Sequence, residues 1–313
     1  MDQNQIEHKY VDARGLTLHV AEIGNGPTAV VFLHGFPEIW YSWRHQMVAV
    51  ANAGFRAIAP DFRGYGLSQQ PPELEKTSFK DLIDDLLVIL DSLCISKVFI
   101  VAKDFGAFSA YQFALIHPKR VSGVITLGIP FIPPNQMARH LKLPEGFYIL
   151  RWRESGRAEA DFGRFDVKTV VRNIYILFSR SEVPIAKENQ EIMDLVEPST
   201  PLPFWFTDED LKMYATLYEK SGFRTALQVP YRSLHGELSI TDPKVEVPAL
   251  LIMGEKDYVL KFPEMEEYIK SGKVKDYVTD LEITLMPEGT HFIQEQIPEQ
   301  VNSFITSFLN NHT

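Results

Sequence analysis

Short runs of apolar residues, each bounded by turn-forming residues, recur through the first third of the chain. This pattern is typical of buried β-strands. We predict strands at Leu16–Val20, Ala29–Leu33, Ala57–Ala59, Val98–Ala102 and Val124–Leu127. Polar and apolar residues around Arg14-Gly15 further predict an antiparallel hairpin over roughly residues 8–23.

Helical patterns lie between some of these strands. From Phe79 to Leu93 the apolar residues fall on one helix face, and Thr77-Ser78 precedes them as a predicted N-cap. Strands that alternate with helices indicate an α/β fold with a largely parallel sheet.

The alternation stops at Phe131-Ile132-Pro133-Pro134-Asn135, and for about the next hundred residues only helical spacing is present. Examples are the run Val167 to Leu177 and a run that begins after Thr207 and ends at Gly222. Strand patterns return at Ala249–Met253 and Ile283–Met286, and the chain ends in a helical run, Pro298–Leu309. The simplest organisation is one α/β domain that is interrupted by a helical insert, which would lie over the site as a lid.

Composition and charge exclude several classes of partner. The 313 residues carry a net charge of −10, which argues against a nucleic-acid surface or an anionic membrane as partner. Cys94 is the one cysteine, so no disulfide forms within the chain. The N-terminal residues lack the layout of a signal peptide, and no apolar run approaches the roughly 18 residues of a membrane span. We therefore expect a cytoplasmic protein.

The fourth strand pattern ends in the sequence Ala102-Lys103-Asp104-Phe105-Gly106. A small residue two positions either side of a central one is typical of a strained strand-to-helix elbow that presents a nucleophile. Here the central residue is Asp104, where many hydrolases have serine. The alternative is that Asp104 only caps the helix that follows.

An acid and a histidine follow later in the chain, each just after a predicted strand. Asp257 lies in GEKDYV after ALLIM, and His291 lies in PEGTHF after LEITLM. The carboxyl ends of parallel strands meet at the edge of the sheet that holds the site, and the order nucleophile, acid, histidine is typical of this elbow. Glu255 competes with Asp257 for the role of orienting the histidine.

The sequence His34-Gly35-Phe36-Pro37 follows the strand AVVFL. Such a turn, which suits a cis Phe36-Pro37 peptide, can direct the Phe36 N–H into the site, where it would form an oxyanion hole with the N–H of Phe105. The alternative is a plain tight turn. Glu38 comes next and would either hold the reacting water or lie exposed in the turn.

A carboxylate nucleophile favours certain substrates. Attack on an ester would give an unstable anhydride, whereas attack on an sp3 carbon with a strained or good leaving group gives an alkyl ester. Water would then attack the Asp104 carbonyl, with His291 as base and Asp257 as its orienting partner. Epoxides and alkyl halides both fit this chemistry.

The leaving group separates the two classes, because an epoxide oxygen leaves as an alkoxide and needs an acid, which tyrosine hydroxyls can supply. Candidates in the insert are Tyr148, in Gly146-Phe147-Tyr148, and Tyr231, in Val229-Pro230-Tyr231-Arg232. The sequence pattern alone does not distinguish these two tyrosines from the other ten of the chain. Packing is the alternative role for a tyrosine in the insert.

The chain resembles the plant soluble epoxide hydrolases along nearly its whole length. The resemblance rests on HGFPEIWYSWRHQM (34–47), DFRGYGLS (61–68), DFGA (104–107), GFYILRWRESGRAEADFGRFD (146–166), PYRSL (230–234), LLIMGEKD (250–257) and EGTHF (288–292). It implies the α/β-hydrolase fold, with a mostly parallel eight-stranded sheet flanked by helices, a core domain of residues 1–131 and 238–313 and a helical lid of residues 132–237.

The resemblance also implies roles for single residues. Asp104 would be the nucleophile, Asp257 and His291 the pair that activates water, and Tyr148 and Tyr231 the donors to the opening ring. Separately from the resemblance, we expect His34, Pro37, Glu38 and Trp40 to line the pocket or position water. No cofactor and no metal are implied; the partners would be water and an apolar epoxide of fatty-acid or terpenoid type, and the protein would be a monomer or a homodimer.

Two residues depart from the family pattern, which usually has His and Trp on either side of the nucleophile. Here they are Lys103 and Phe105. We expect Lys103 to point away from the site and Phe105 to alter the pocket. Two other functions stay open: a haloalkane dehalogenase, for which Trp at position 105 would be the natural halide donor, and a non-catalytic receptor for a small molecule.

Overall fold

The computed structural model describes residues 1–133, 136–137, 140–233 and 242–313. Within these residues lies an eight-stranded sheet with strand order β1-β2-β4-β3-β5-β6-β7-β8, in which β2 runs antiparallel to both its neighbours and the strands from β4 onward are parallel. The strands are β1 (Glu7–Ala13), β2 (Leu16–Ile23), β3 (Ala29–Leu33), β4 (Arg56–Pro60), β5 (Val98–Lys103), β6 (Val121–Leu127), β7 (Ala249–Gly254) and β8 (Leu281–Met286). The α/β fold with a mostly parallel sheet is confirmed.

The helices of the described residues divide into those that flank the sheet and those that follow β6. They are α1 (Arg44–Asn52), α2 (Phe79–Ser92), α3 (Phe105–Ile116), α4 (Tyr148–Arg153), α5 (Arg157–Phe162), α6 (Val167–Phe178), α7 (Asp208–Ser221), α8 (Arg224–Leu227), α9 (Met265–Lys270), α10 (Ile293–Gln296) and α11 (Pro298–Asn311). Short 3-10 helices and one π-helical turn, Gln228–Arg232, connect several of them.

Both faces of the sheet are buried, because successive side chains of a strand point to opposite faces. In β3, Val31 and Leu33 belong to the core cluster that contains α2 and α3. Val30 and Phe32 belong to a second cluster, with residues of α1 and α11. The parallel strands therefore consist of nearly continuous apolar residues, which is the pattern that identified them in the sequence.

The predicted helices form at their predicted places. Helix α2 begins after Ser78, whose side chain and that of Asp81 form a capping box. Helix α7 begins after Thr207 with a second capping box and ends at Gly222, whose φ is 66°. No helix in the described residues has both the length and the apolarity that crossing a membrane requires.

Helices α4 to α8 lie between β6 and β7 in the chain, where the sequence predicted a helical insert. The boundary predicted between residues 237 and 238 lies outside the described residues, as do Pro134, Asn135 and Leu234 of the quoted motifs. In the described part of the insert the regular elements are helical, which agrees with the absence of strand patterns there.

Candidate active site

Asp104 lies at the sharp turn between β5 and α3. Its backbone has φ 51° and ψ −135°, a strained conformation for a residue with a side chain, and it makes no side-chain capping hydrogen bond. A Cβ added to Gly106 would lie 2.4 Å from the carbonyl oxygen of His34. The helix therefore passes so close to β3 that a small residue is required at this position, as the elbow pattern predicted.

Asp104, His291 and Asp257 come together at the carboxyl ends of the strands. Nδ1 of His291 lies 3.1 Å from each carboxylate oxygen of Asp257, and Nε2 lies 3.4 Å from Oδ2 of Asp104. Oδ1 of Asp257 also accepts a hydrogen bond from the N–H of Val259 at 3.0 Å. Glu255 is exposed, so Asp257 is the acid that orients the imidazole.

The charges in this cluster favour an ionised Asp104. Burial alone would raise the pKa of its carboxyl, but the hydrogen bond and charge of His291, followed by the charge of Lys103, hold that pKa below its ordinary value. For His291, burial and Lys103 oppose protonation, but Asp257 and Asp104 outweigh them and raise the imidazole pKa. Asp104 is therefore available as a nucleophile, whereas His291 must lose the proton that these carboxylates favour before its Nε2 can act as a base.

Two backbone N–H groups face the Asp104 carboxyl, one from the HGFP turn and one from the start of α3. The Phe36 N–H donates to Oδ1 of Asp104 at 3.1 Å, and the Phe105 N–H is among the groups that lower the pKa of Asp104. The Phe36-Pro37 peptide is cis. Both donors predicted for an oxyanion hole thus act on the same carboxyl group.

A cavity opens above Asp104. Most of its lining is apolar or aromatic, and it is bounded both by residues after the strands and by residues of the helical insert. The lining residues are Asp104, Phe105, Phe108, Ile129, Ile132, Met137, His140, Leu141, Tyr148, Ile149, Pro230, Tyr231, Tyr258, Val259, Phe262 and Met265.

Tyr148 and Tyr231 both line this cavity, and each is almost fully buried. Their ring centroids lie 6.0 Å apart at an interplanar angle of 85°. Burial raises the pKa of each hydroxyl well above its ordinary value, and the charge of Asp104 raises both further. Both hydroxyls therefore stay protonated at neutral pH, which a proton donor requires.

A third tyrosine, Tyr258, also lines the cavity and was not singled out from the sequence. Its hydroxyl oxygen lies 2.9 Å from that of Tyr148. The sequence feature that could have identified Tyr258 is its position directly after Asp257 in GEKDYV, which places it at the same strand end as the acid.

Lys103 and Glu38 form a buried pair behind the nucleophile. The Lys103 ammonium lies 3.8 Å from Oε2 of Glu38 and 4.9 Å above the ring of Phe292, and both charged side chains are fully buried. Glu38 also accepts hydrogen bonds from the Gly35 N–H and from Gln294. Lys103 does not line the cavity above Asp104, but its charge acts on both Asp104 and His291.

The structure does not support a pocket role for His34 or Trp40. Nδ1 of His34 donates to the carbonyl oxygen of Gly35 and Nε2 accepts from the Phe62 N–H, so the imidazole joins two loops. The Trp40 ring packs against His8, on the other side of the loop. Among the described residues, the cavity lining includes none of His34, Pro37, Glu38 and Trp40.

No metal ligands are assigned. Among the residues that the structure describes, no group of three or more His, Cys, Asp and Glu side chains is placed to share an ion.

The sequence of this chain is similar to that of known α/β hydrolases and epoxide hydrolases. The sequence pattern of the α/β hydrolase fold family matches residues 28–295. Epoxide hydrolase 2 of Siraitia grosvenorii is 37% identical over 315 residues, which cover 97% of this chain and 98% of that protein. Epoxide hydrolase 3 of the same plant is 35% identical over 98% of this chain and 99% of that protein.

The structure of this chain is also similar to solved structures of plant epoxide hydrolases. The crystal structure of an epoxide hydrolase from Vigna radiata superimposes with a TM-score of 0.91 at 35% identity, and the match covers 99% of each chain. Epoxide hydrolase I of potato, Solanum tuberosum, gives a TM-score of 0.88 at 33% identity, with 98% of this chain and 99% of that chain covered.

Proposed function

The chain belongs to the plant epoxide hydrolases of the α/β-hydrolase fold family, and we propose that it converts apolar epoxides into vicinal diols through an alkyl ester on Asp104. The observation that carries the proposed mechanism is the position of one carboxylate. Asp104 lies within reach of the His291–Asp257 pair and lines the same cavity as the hydroxyls of Tyr148 and Tyr231.

In the first step, a carboxylate oxygen of Asp104 attacks an epoxide carbon. The new carbon–oxygen bond forms as the ring carbon–oxygen bond breaks, and the ring oxygen takes a proton from a hydroxyl of Tyr148 or Tyr231. The partly buried Asp104 is held ionised by His291 and Lys103, which supports its role as nucleophile. The products of this step are a hydroxyalkyl ester and a tyrosinate.

In the second step, water attacks the ester carbonyl of Asp104. His291 takes the proton of the water through Nε2, while Asp257 holds the imidazole through Nδ1. The N–H groups of Phe36 and Phe105 stabilise the oxyanion that forms on the carbonyl oxygen. Collapse breaks the ester bond, and the departing alkoxide takes the proton from His291 to complete the diol. The carboxylic acid left on Asp104 then loses its proton, which restores the tyrosine.

The lining of the cavity supports the proposed substrate class. Aromatic and aliphatic side chains such as Phe108, Ile132 and Phe262 surround the space beyond Asp104. Such a lining suits the hydrocarbon part of a fatty-acid or terpenoid epoxide. We propose that residues 132–237 act as a lid over a core formed by residues 1–131 and 238–313, since Tyr148 and Tyr231 approach Asp104 from that segment.

A single turnover in 18O-labelled water, with enzyme in excess over 9,10-epoxystearic acid, tests the ester. We expect the first diol to carry unlabelled oxygen, because that oxygen comes from Asp104, and the label to appear in the protein. Label in the diol at the first turnover would mean that water opens the ring directly.

Two variants separate the steps. Asp104→Ala should abolish turnover, whereas His291→Gln should accumulate a protein whose intact mass is increased by the mass of the substrate. His312→Gln is the matched control, since His312 lies at the end of α11. Binding of the epoxide without adduct in His291→Gln and without diol in the unaltered protein would favour a receptor instead.

A further inference from the structure

We propose that Tyr258 is a positioning residue for ring opening, whose hydroxyl donates a hydrogen bond to the hydroxyl oxygen of Tyr148 and so directs the Tyr148 proton into the cavity. This inference rests on the proposed function, in which Tyr148 is a donor to the epoxide oxygen. It adds a member to the site that the resemblance to epoxide hydrolases did not supply.

The two hydroxyl oxygens lie 2.9 Å apart, which is the distance of a normal hydrogen bond between oxygens. Tyr258 is 2% exposed and Tyr148 is 4% exposed, so water does not compete freely for this contact. The rings lie 6.1 Å apart at 80°, so the residues meet through their hydroxyls rather than by stacking.

The turn that holds the catalytic acid also fixes Tyr258. Tyr258 follows Asp257 directly and begins a short 3-10 helix, Tyr258–Lys261, which Asp257 caps through the Val259 N–H. The Tyr258 ring packs against His291, with 4.9 Å between ring centroids, and against Phe178 at 5.3 Å. The hydroxyl therefore has little freedom to leave Tyr148.

The direction of this hydrogen bond has a chemical consequence. A phenol has one proton, so if Tyr148 donated to Tyr258 it would have none to offer the substrate. When Tyr258 donates, the Tyr148 proton is free to point towards the ring oxygen. The same bond then stabilises the negative charge that develops on Tyr148 as its proton leaves.

The surroundings of Tyr148 show why this support is useful. Burial raises the pKa of Tyr148, and the charge of Asp104 raises it further, which makes the hydroxyl a weaker acid. Among the groups that act on Tyr148, the hydrogen bond of Tyr258 works in the opposite direction and favours loss of the proton.

The test measures ester formation and ester decay separately, by rapid quench and intact mass, with 9,10-epoxystearic acid and enzyme in excess. Tyr258→Phe keeps the ring and its packing and removes only the hydroxyl. We expect ester formation to slow about tenfold, the effect of losing one buried hydrogen bond, while ester decay stays within about twofold. A packing defect beside His291 would instead slow both steps alike, and that result would overturn the proposal.

Double variants show whether Tyr258 acts on ester formation through Tyr148 or independently of it. In a Tyr148→Phe background, Tyr258→Phe should cause no further slowing, because its partner is already gone. In the matched Tyr231→Phe background, Tyr258→Phe should still cause its tenfold effect. Equal further slowing in both backgrounds would contradict the proposal.

Failure of the inference and failure of the proposed function give different results. If Tyr148→Phe slows ester formation and Tyr258→Phe does not, the role of Tyr258 is overturned and that of Tyr148 stands. If Tyr148→Phe forms the ester at the normal rate, the donor role of Tyr148 is overturned and the role of Tyr258 with it.

Discussion

Nε2 of His291 lies 3.4 Å from Oδ2 of Asp104, so the proposed base and the proposed nucleophile form an ion pair whenever the imidazole is protonated. Burial and Lys103 oppose protonation of His291, but Asp257 and the Asp104 carboxylate raise the imidazole pKa above its ordinary value. Esterification of Asp104 removes one of the two charges that raise it. The imidazole should therefore become easier to deprotonate at the step in which it acts as a base.

The first prediction concerns this change. His291 must be neutral to accept a proton from water, so ester decay rises as pH increases through the His291 pKa of the ester form. We expect that pKa to lie below the His291 pKa of the free protein. The comparison needs an NMR titration of the imidazole and pH-jump measurements of ester decay.

The control for this prediction is Asp104→Asn, which has the shape of the carboxylate without its charge. Its His291 should titrate at a lower pH than in the unaltered protein. Equal His291 pKa values in the two proteins would show that the charge of Asp104 does not govern the base.

The second prediction concerns Lys103, whose ammonium lowers the pKa of both Asp104 and His291. Lys103→Met removes the charge and leaves Glu38 without its partner, so both pKa values should rise. The proposed mechanism requires ionised Asp104 and neutral His291. The acidic limb of turnover should therefore move to higher pH, with a several-fold loss of rate on that limb and little change on the plateau above it.

A steady-state pH profile of the Lys103→Met variant measures this shift. Lys97→Met, which removes an exposed lysine at the other end of the same strand, should leave the profile in place. A uniform loss of rate at every pH would indicate a packing defect rather than the loss of a charge.

That Asp104, Asp257 and His291 meet could be predicted from the sequence, because each lies shortly after the carboxyl end of a strand. Parallel strands end at one edge of the sheet, so residues far apart in the chain necessarily meet there. The elbow added a local constraint, since the close approach of Gly106 to His34 requires a small residue.

The other residues of the site are placed by tertiary contacts, which the hydrophobic pattern of the sequence does not show. Tyr148 and Tyr231 belong to the insert, whose placement over Asp104 follows from packing between helices, so the residues alone left them among twelve tyrosines. The pairing of Lys103 with Glu38 is another such contact, because the local sequence does not show which group a buried lysine meets. In the structure β5 extends to Lys103, and strand alternation places its side chain on the same buried face as Phe99 and Val101.

The third prediction concerns Gly35, next to the Phe36 donor. A Cβ added there would lie 2.3 Å from Cβ of Asp104 and 2.7 Å from Oδ1. Gly35→Ala must therefore displace the nucleophile, and we expect kcat/KM to fall by about a hundredfold or more. Ester formation in a single turnover should account for the loss.

Gly15→Ala is the control for backbone effects. Gly15 has φ +82° in the β1–β2 turn and no heavy atom within 4 Å of an added Cβ. The variant should lose about 1 kcal/mol of unfolding free energy and keep its activity. If Gly35→Ala were as active as Gly15→Ala, the close approach to Asp104 would not matter for catalysis.

The fourth prediction concerns a buried carboxylate that joins the insert to the rest of the chain. Glu295, in α10, accepts hydrogen bonds from the hydroxyls of Tyr175 in α6 and Tyr214 in α7 at 3.2 and 3.0 Å. Arg44 donates to its other oxygen and also pairs with Asp210. Burial raises the pKa of Glu295 to about 7. The charge of Glu38 raises this pKa as well, whereas the charge of Arg44 lowers it.

Tyr214→Phe removes one donor to this carboxylate, so its cost should depend on pH. Because the Glu295 pKa in the folded protein lies above its ordinary value, the unaltered protein loses stability as pH rises from about 4.5 towards 7, where Glu295 must ionise. Without the Tyr214 donor the ionised form is less stable still. We expect the free energy of unfolding in urea to fall by about 1–3 kcal/mol at pH 8 and by less at pH 6. Tyr10→Phe, at an exposed tyrosine, should change neither value, and an equal loss at both pH values would mean that Tyr214 contributes packing rather than stabilisation of the Glu295 charge.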